Sequence, residues 1–177
     1  FQKYAIEAIE LDKHILVTAH TGSGKTLPAE YAVQKFVADG KKVIYTAPIK
    51  ALSNQKFYEF TQKFPDISFG ILTGDIKFNP EADCLIMTTE ILRNALFHKQ
   101  EVKDFQIDID TELACVVFDE VHYINDADRG KVWEETIMML PKHIQMVMLS
   151  ATIDKPESFA NWIETKKEKD VYLACTD

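Results

Sequence analysis

The stretch Ile15-Leu16-Val17-Thr18-Ala19-His20-Thr21-Gly22-Ser23-Gly24-Lys25-Thr26 runs from an apolar segment into a glycine-rich turn, and helical periodicity begins directly behind it. Ala29, Ala32, Val33, Phe36 and Val37 fall at i, i+3, i+4, i+7 and i+8, one face of a helix that Gly40 ends. Ala19 to Thr26 fits G-x-x-x-x-G-K-[ST], with Ala19 in place of the first glycine. Glycines let a backbone fold tightly enough for several N–H groups to converge on one phosphate, and the helix N-terminus behind adds partial positive charge. In this strand–turn–helix context, Thr21, Gly22, Ser23, Gly24, Lys25 and Thr26 read as a phosphate cradle. Lys25 is placed for the β and γ phosphates of a nucleotide such as ATP, and the Thr26 hydroxyl for Mg²⁺. Pro28 falls in the first helical turn, where proline is tolerated, and His20 reads as a loop residue.

Outward from this segment the chain alternates. Apolar runs occur at 15–18, 42–47, 69–73, 84–88, 113–118 and 145–149, with a late one at 171–174. They do not alternate cleanly between apolar and polar, which suits parallel strands buried on both faces. Helical stripes lie between them: Ile91, Leu92, Ala95 and Leu96; Val132, Trp133, Thr136, Ile137 and Leu140, stopped by Pro141; and Phe159, Trp162 and Ile163 after Pro156. Strands alternating with helices predict an α/β fold, a doubly wound, mainly parallel sheet with helices on both faces. Ligands of such sheets bind beyond the carboxyl ends of the strands, and the unusual residues lie there.

The run 113–118 ends in Asp119-Glu120-Val121-His122. Adjacent carboxylates at the mouth of a sheet repel each other unless a cation sits between them and a phosphate. Asp119 is therefore a candidate for holding Mg²⁺ through its water shell, and Glu120 for orienting and deprotonating an attacking water. The run 145–149 leads into Ser150-Ala151-Thr152, whose hydroxyls offer His122 a link to a second strand.

Composition sets the outer bounds. The chain has 177 residues, suited to one domain, and is 46% hydrophobic. A chain of this size buries about 70% of its unfolded surface and needs no disulfide or metal to hold a core. No apolar run approaches the roughly 20 residues of a membrane span, and Phe1 to Glu10 lacks the layout of a signal peptide. Cys84, Cys115 and Cys175 are scattered, without zinc spacing, which suggests a reducing, intracellular compartment and leaves nucleus or cytoplasm open. Cys84 and Cys115 read as buried packing residues. The net charge of −8 speaks against the broad basic face of many nucleic-acid binders, though not against a few local phosphate contacts.

The ordered set Ala19–Thr26, Asp119–His122 and Ser150–Thr152 resembles helicase superfamily two, and the box Asp119-Glu120-Val121-His122 resembles its DEVH group. The segments Thr46–Lys56, Leu72-Thr73-Gly74-Asp75, Thr88–Asn94 and Asp128-Arg129-Gly130 through Trp133–Thr136 narrow the likeness to the superkiller-type, exosome-associated RNA helicases, over Phe1 to about Ile163. That resemblance implies a first RecA-like motor domain spanning 1–177, with the second motor domain outside the chain and Val171–Ala174 leading towards it. It implies Lys25, Asp119 and Glu120 as catalytic residues, Thr26 and Asp119 at Mg²⁺, and Gln2 as the glutamine that reads adenine. Pro48, Lys50, Gly74, Thr89 and Arg93 would follow the RNA backbone, and His122, Ser150 and Thr152 would pass on the nucleotide state. It also implies 3′-to-5′ movement on single-stranded RNA without base preference, and partnership with exosome-type RNA decay machinery. A DNA motor of the same superfamily, a nucleotide-binding interaction module that has lost its motor activity, and a P-loop transporter or assembly ATPase are the competing readings.

Overall fold

All five residues of β1 (His14–Thr18) are buried, as an apolar run next to a phosphate turn requires. The computed structural model describes residues 2–20, 22–97, 107–122 and 127–175. The other strands are β2 (Lys42–Ala47), β3 (Phe69–Leu72), β4 (Lys77–Phe78), β5 (Cys84–Thr88), β6 (Leu113–Phe118), β7 (Gln145–Ser150) and β8 (Val171–Cys175). They form one eight-stranded sheet in the order β4-β3-β5-β2-β6-β7-β1-β8. Every pairing is parallel except the short antiparallel β3–β4 contact at the edge.

Successive side chains of each strand point to opposite faces, and both faces here are apolar. Ile15, Val17, Val43, Tyr45, Val117, Val147 and Leu149 pack on one side with α1 (Gln2–Glu10), α2 (Leu27–Ala38) and α3 (Lys50–Lys63). Leu16, Ile44, Val116, Phe118, Met146 and Met148 pack on the other with α4 (Thr89–Phe97), α5 (Ala127–Met139) and α6 (Pro156–Lys167). The fold is therefore the doubly wound, mainly parallel α/β architecture that the alternating pattern predicts, in keeping with the RecA-like domain that the resemblance implies. Cys84 and Cys115 are buried as expected, and burial pushes the Cys115 thiol up to about 12.

Three elements escape the sequence pattern. The inner face of α1 is Ala5, Ala8 and Ile9, so two of its three buried residues are alanines and the stripe is faint. In α3 only Ser53 and Phe60 are buried among fourteen mostly polar residues. The strand β4 is two exposed residues long, too short for a run. The third apolar run also stops one residue early, at Leu72. There the Thr73 N–H turns to the Ile76 carbonyl at 2.9 Å, and the Thr73 hydroxyl accepts from the amides of Asp75 and Ile76.

At the opposite end of β1 from the glycine turn, His14 is fully buried and its Nδ1 accepts the Met146 amide at 3.0 Å. Burial, reinforced by Lys169 and Lys167, holds its imidazole down at about 3 against an ordinary 6.5. The folded state thus keeps His14 neutral while the unfolded chain takes up a proton below 6.5, so stability falls as the pH drops through that value towards 3. Urea unfolding between about pH 7 and about pH 5 should show this one residue costing about 2 kcal/mol. His14→Gln should flatten that part of the slope, and an unchanged slope would assign the acid sensitivity to other groups.

Candidate nucleotide and nucleic-acid sites

The strand order decides which motifs meet. Strands β6, β7 and β1 are neighbours, so their carboxyl ends bring together Asp119–His122, Ser150–Thr152 and the glycine turn. Strands β3, β5 and β2 are neighbours too, and they gather Gly74, Thr89 with Arg93, and Pro48 with Lys50. The two groups meet where β2 pairs with β6.

The Ala19 amide donates to the Ser150 carbonyl at 3.1 Å and carries the β1–β7 pairing one residue into the turn. Both the hydroxyl and the amide of Ser23 donate to the His20 carbonyl, closing the bend. Gly22 and Gly24 take φ values of +87° and +80°. The half-exposed Gln2 of α1 donates from Nε2 to the Gly24 carbonyl at 3.1 Å, so the residue expected to read adenine is held against the turn. Lys25 is 8% exposed. Thr26 occupies the N-cap of α2 without spending its hydroxyl on the helix, and Pro28 lies in the first turn. Thr21 falls outside the described residues.

Gly24 has two reasons to be glycine. Its φ is left-handed, and a Cβ would lie 2.3 Å from Gln2 Nε2. We expect Gly24→Ala to cost about 1–2 kcal/mol in urea unfolding through backbone strain alone. It should also displace Gln2 and weaken ADP binding. Unchanged stability and affinity would show that the turn tolerates a side chain.

Asp119 is 2% exposed and lies two residues beyond Val117 on β6. By the period of two it turns to the α2 side of the sheet, where the phosphate turn and Thr26 are. Its amide donates to the Thr46 carbonyl at 2.9 Å. Its Oδ1 accepts the Glu120 amide at 2.8 Å, and its Oδ2 accepts the hydroxyl of fully buried Tyr45 at 2.6 Å. Burial, together with the neighbouring Asp119, pushes the Tyr45 phenol well above its ordinary 10, so it donates at any working pH.

At Glu120 the chain breaks from the strand with φ +57°. Its Oε2 lies 2.9 Å from His122 Nε2, while His122 Nδ1 accepts the Ala151 amide at 3.1 Å. Because Nδ1 accepts, the ring proton sits on Nε2 and is donated to Glu120. His122 thus spans β6 and β7 through the Ala151 backbone, not through the Ser150 or Thr152 hydroxyls expected to offer that link. The Ser150 hydroxyl turns to the Ala151 carbonyl at 2.7 Å, and Thr152 is exposed.

Among the described residues there is no group of three or more His, Cys, Asp or Glu side chains that could hold a metal. Thr26 and Asp119 on one side of the sheet are instead the sparse donor set that suits Mg²⁺, which keeps much of its water and takes its remaining ligands from phosphates. The free Thr26 hydroxyl and the buried, hydrogen-bonded Asp119 carboxylate fit that ion.

In the second group of strand ends, Pro48 and Thr89 line a small cleft of about 60 Å³ with Glu90, Val132 and Trp133. The Thr89 hydroxyl is buried and donates to the Ala47 carbonyl at 3.4 Å. Exposed Lys50 pairs with Asp75 at 2.8 Å, directly beside Gly74. Arg93 joins α4 to α5 through Glu135 at 3.2 Å. Asp75 and Glu135 enter the sequence reading only as members of longer segments, and Tyr45 has no site role in it. Tyr45 sits inside an apolar run, where an aromatic residue reads as core.

A buried parallel strand, a glycine turn with lysine and threonine at a helix start, and a buried aspartate on a nearby strand end define a RecA-like P-loop nucleotide-binding domain. The comparisons narrow the class: the chain belongs to the DEAD/DEAH box helicase family, whose model matches residues 1–159. It is 49% identical over 176 residues to "Antiviral helicase SKI2" of Saccharomyces cerevisiae, covering 99% of this chain and 13% of that protein. It is 46% identical over 177 residues to "Exosome RNA helicase MTR4" of Homo sapiens, covering 100% of this chain and 16% of that one. Among solved structures, the Mycobacterium smegmatis helicase Lhr bound to ssDNA and AMP-PNP superposes with a TM-score of 0.74 at 27% identity, covering 99% of this chain and 25% of Lhr. The DUF1998 helicase MrfA bound to DNA gives 0.77 at 20% identity, covering 99% and 27%, and speaks to the fold alone. No helix among the described residues is long and apolar enough to cross a membrane.

Proposed function

We propose that the chain is the ATP-binding first motor domain of an ATP-dependent RNA helicase that couples hydrolysis to 3′-to-5′ movement along single-stranded RNA and to unwinding. The observation that carries this is the strand order. It brings the nucleotide motifs of β6, β7 and β1 beside the proposed RNA motifs of β3, β5 and β2, along the carboxyl ends of the strands.

In this reading the turn from Thr21 to Thr26 cradles the phosphates, and Lys25 meets the β and γ groups. Gln2 serves the adenine. Thr26 and Asp119 hold Mg²⁺, which supplies neutralisation of phosphate charge when bound. Glu120 orients the attacking water and takes its proton. His122 holds Glu120 by Nε2–H and senses β7 through Ala151.

On the RNA side, α3 and α4 begin at Lys50 and Thr89. Helix N-termini and backbone amides can hold phosphates where the overall charge is −8, and such contacts carry no base information. Gly74 beside Lys50 lets a backbone approach closely, and Arg93 with Pro48 completes the track. The parent would work inside the cell, with a second RecA-like domain and with exosome-type decay machinery. The name of one relative, "Exosome RNA helicase MTR4" of Homo sapiens, supports that partnership.

The test is ATP turnover by a chain extended through a second motor domain, with single-stranded RNA, single-stranded DNA or neither. Strong stimulation by RNA supports the proposal. DNA is the second reading, favoured by the likeness to Lhr on ssDNA, and equal or better stimulation by DNA would establish it. No response to either would point to a nucleotide-gated interaction module.

A further inference from the structure

We propose that Tyr45 is a positioning residue for the metal: its hydroxyl sets the orientation of Asp119 and thereby the affinity of the site for Mg²⁺. The proposal rests on the nucleotide-site reading above. Asp119 stands at the end of β6, where two side-chain torsions remain to be fixed. Its Oδ1 is held by the amide of Glu120, a neighbour in sequence. Its Oδ2 is held by Tyr45, 74 residues away on β2. Each carboxylate oxygen accepts more than one hydrogen bond, so each keeps a lone pair for a metal-bound water once these donors are in place.

The donor is itself immobile. Tyr45 is fully buried, and its ring meets Phe60 of α3 edge-on at 5.1 Å. Phe60 is in turn packed against Phe69 at 5.8 Å and Phe64 at 6.0 Å. The same strand also takes the Asp119 amide through the Thr46 carbonyl. Strand β2 thus holds Asp119 by main chain and by side chain together. A phenylalanine would fill this part of the core as well as tyrosine does, so the hydroxyl answers to Asp119 and not to packing. Partners that orient a metal's ligands typically change its affinity by 10- to 100-fold when removed.

The experiment compares this chain with Tyr45→Phe in two measurements: ADP affinity in the presence of EDTA, and Mn²⁺ affinity at saturating ADP by electron paramagnetic resonance, with Mn²⁺ standing in for Mg²⁺. We expect the metal-free ADP affinity to stay within about twofold, because the glycine turn is untouched, and Mn²⁺ affinity to fall about tenfold. Unchanged Mn²⁺ affinity would overturn the proposal. So would an equal loss of ADP affinity in EDTA, which is what a merely structural role or a misfolded variant produces. A parent chain that binds no ADP at all would overturn the nucleotide-site reading and this proposal with it.

Discussion

Glu120→Gln, placed in a chain extended through a second motor domain, is expected to lower RNA-stimulated ATP turnover by about 10²- to 10⁴-fold, the range a positioned general base contributes. The substitution is unusually clean here. Glutamine keeps an oxygen that can accept the His122 Nε2–H, so the 2.9 Å contact to the histidine and its tie to Ala151 survive. The side chain still follows the φ +57° turn behind Asp119. What is lost is the negative charge and the ability to take a proton from water. ATP binding should therefore stay near that of the parent while turnover collapses. Turnover within about twofold of the parent would remove Glu120 from the reaction and revive the reading of a domain whose motor activity has been lost.

The second large effect concerns what this chain does by itself. Its turnover should lie about 10³- to 10⁵-fold below that of the extended chain, the gain an arginine finger gives other P-loop enzymes. The sequence has two arginines, Arg93 and Arg129. Arg93 lies on the other group of strand ends, tied to Glu135 and stacked near Phe97. The described nucleotide side offers Lys25 but no arginine to meet charge that grows on the γ-phosphate. ADP should still bind, because the glycine turn, Lys25 and Thr26 belong to one continuous segment. A steady-state ATPase assay on both chains, with RNA present, measures the ratio directly. Near-normal turnover by the 177-residue chain would mean that it completes the site with its own residues.

Much of the molecule could be read before the fold was seen. The longer strands announced themselves because a parallel strand covered on both faces must be apolar throughout, and runs such as Leu113–Phe118 are. The phosphate turn and the acidic box were legible for a related reason: their chemistry depends on residue types at fixed local spacing. The faint elements were those with little apolar side chain to bury. In α1 the buried face is largely alanine, and α3 buries only Ser53 and Phe60.

The sequence by itself thus determined the succession of strands and helices, the phosphate turn and the pair of carboxylates, since each follows from burial or geometry among near neighbours in the chain. Only the tertiary structure decided that β2 lies against β6, that Tyr45 therefore reaches Asp119 across 74 residues, and that His122 holds Glu120 by Nε2–H while accepting from Ala151. Strand order and side-chain partners come from packing between segments far apart in sequence. No local period records which of several equally apolar strands will lie side by side.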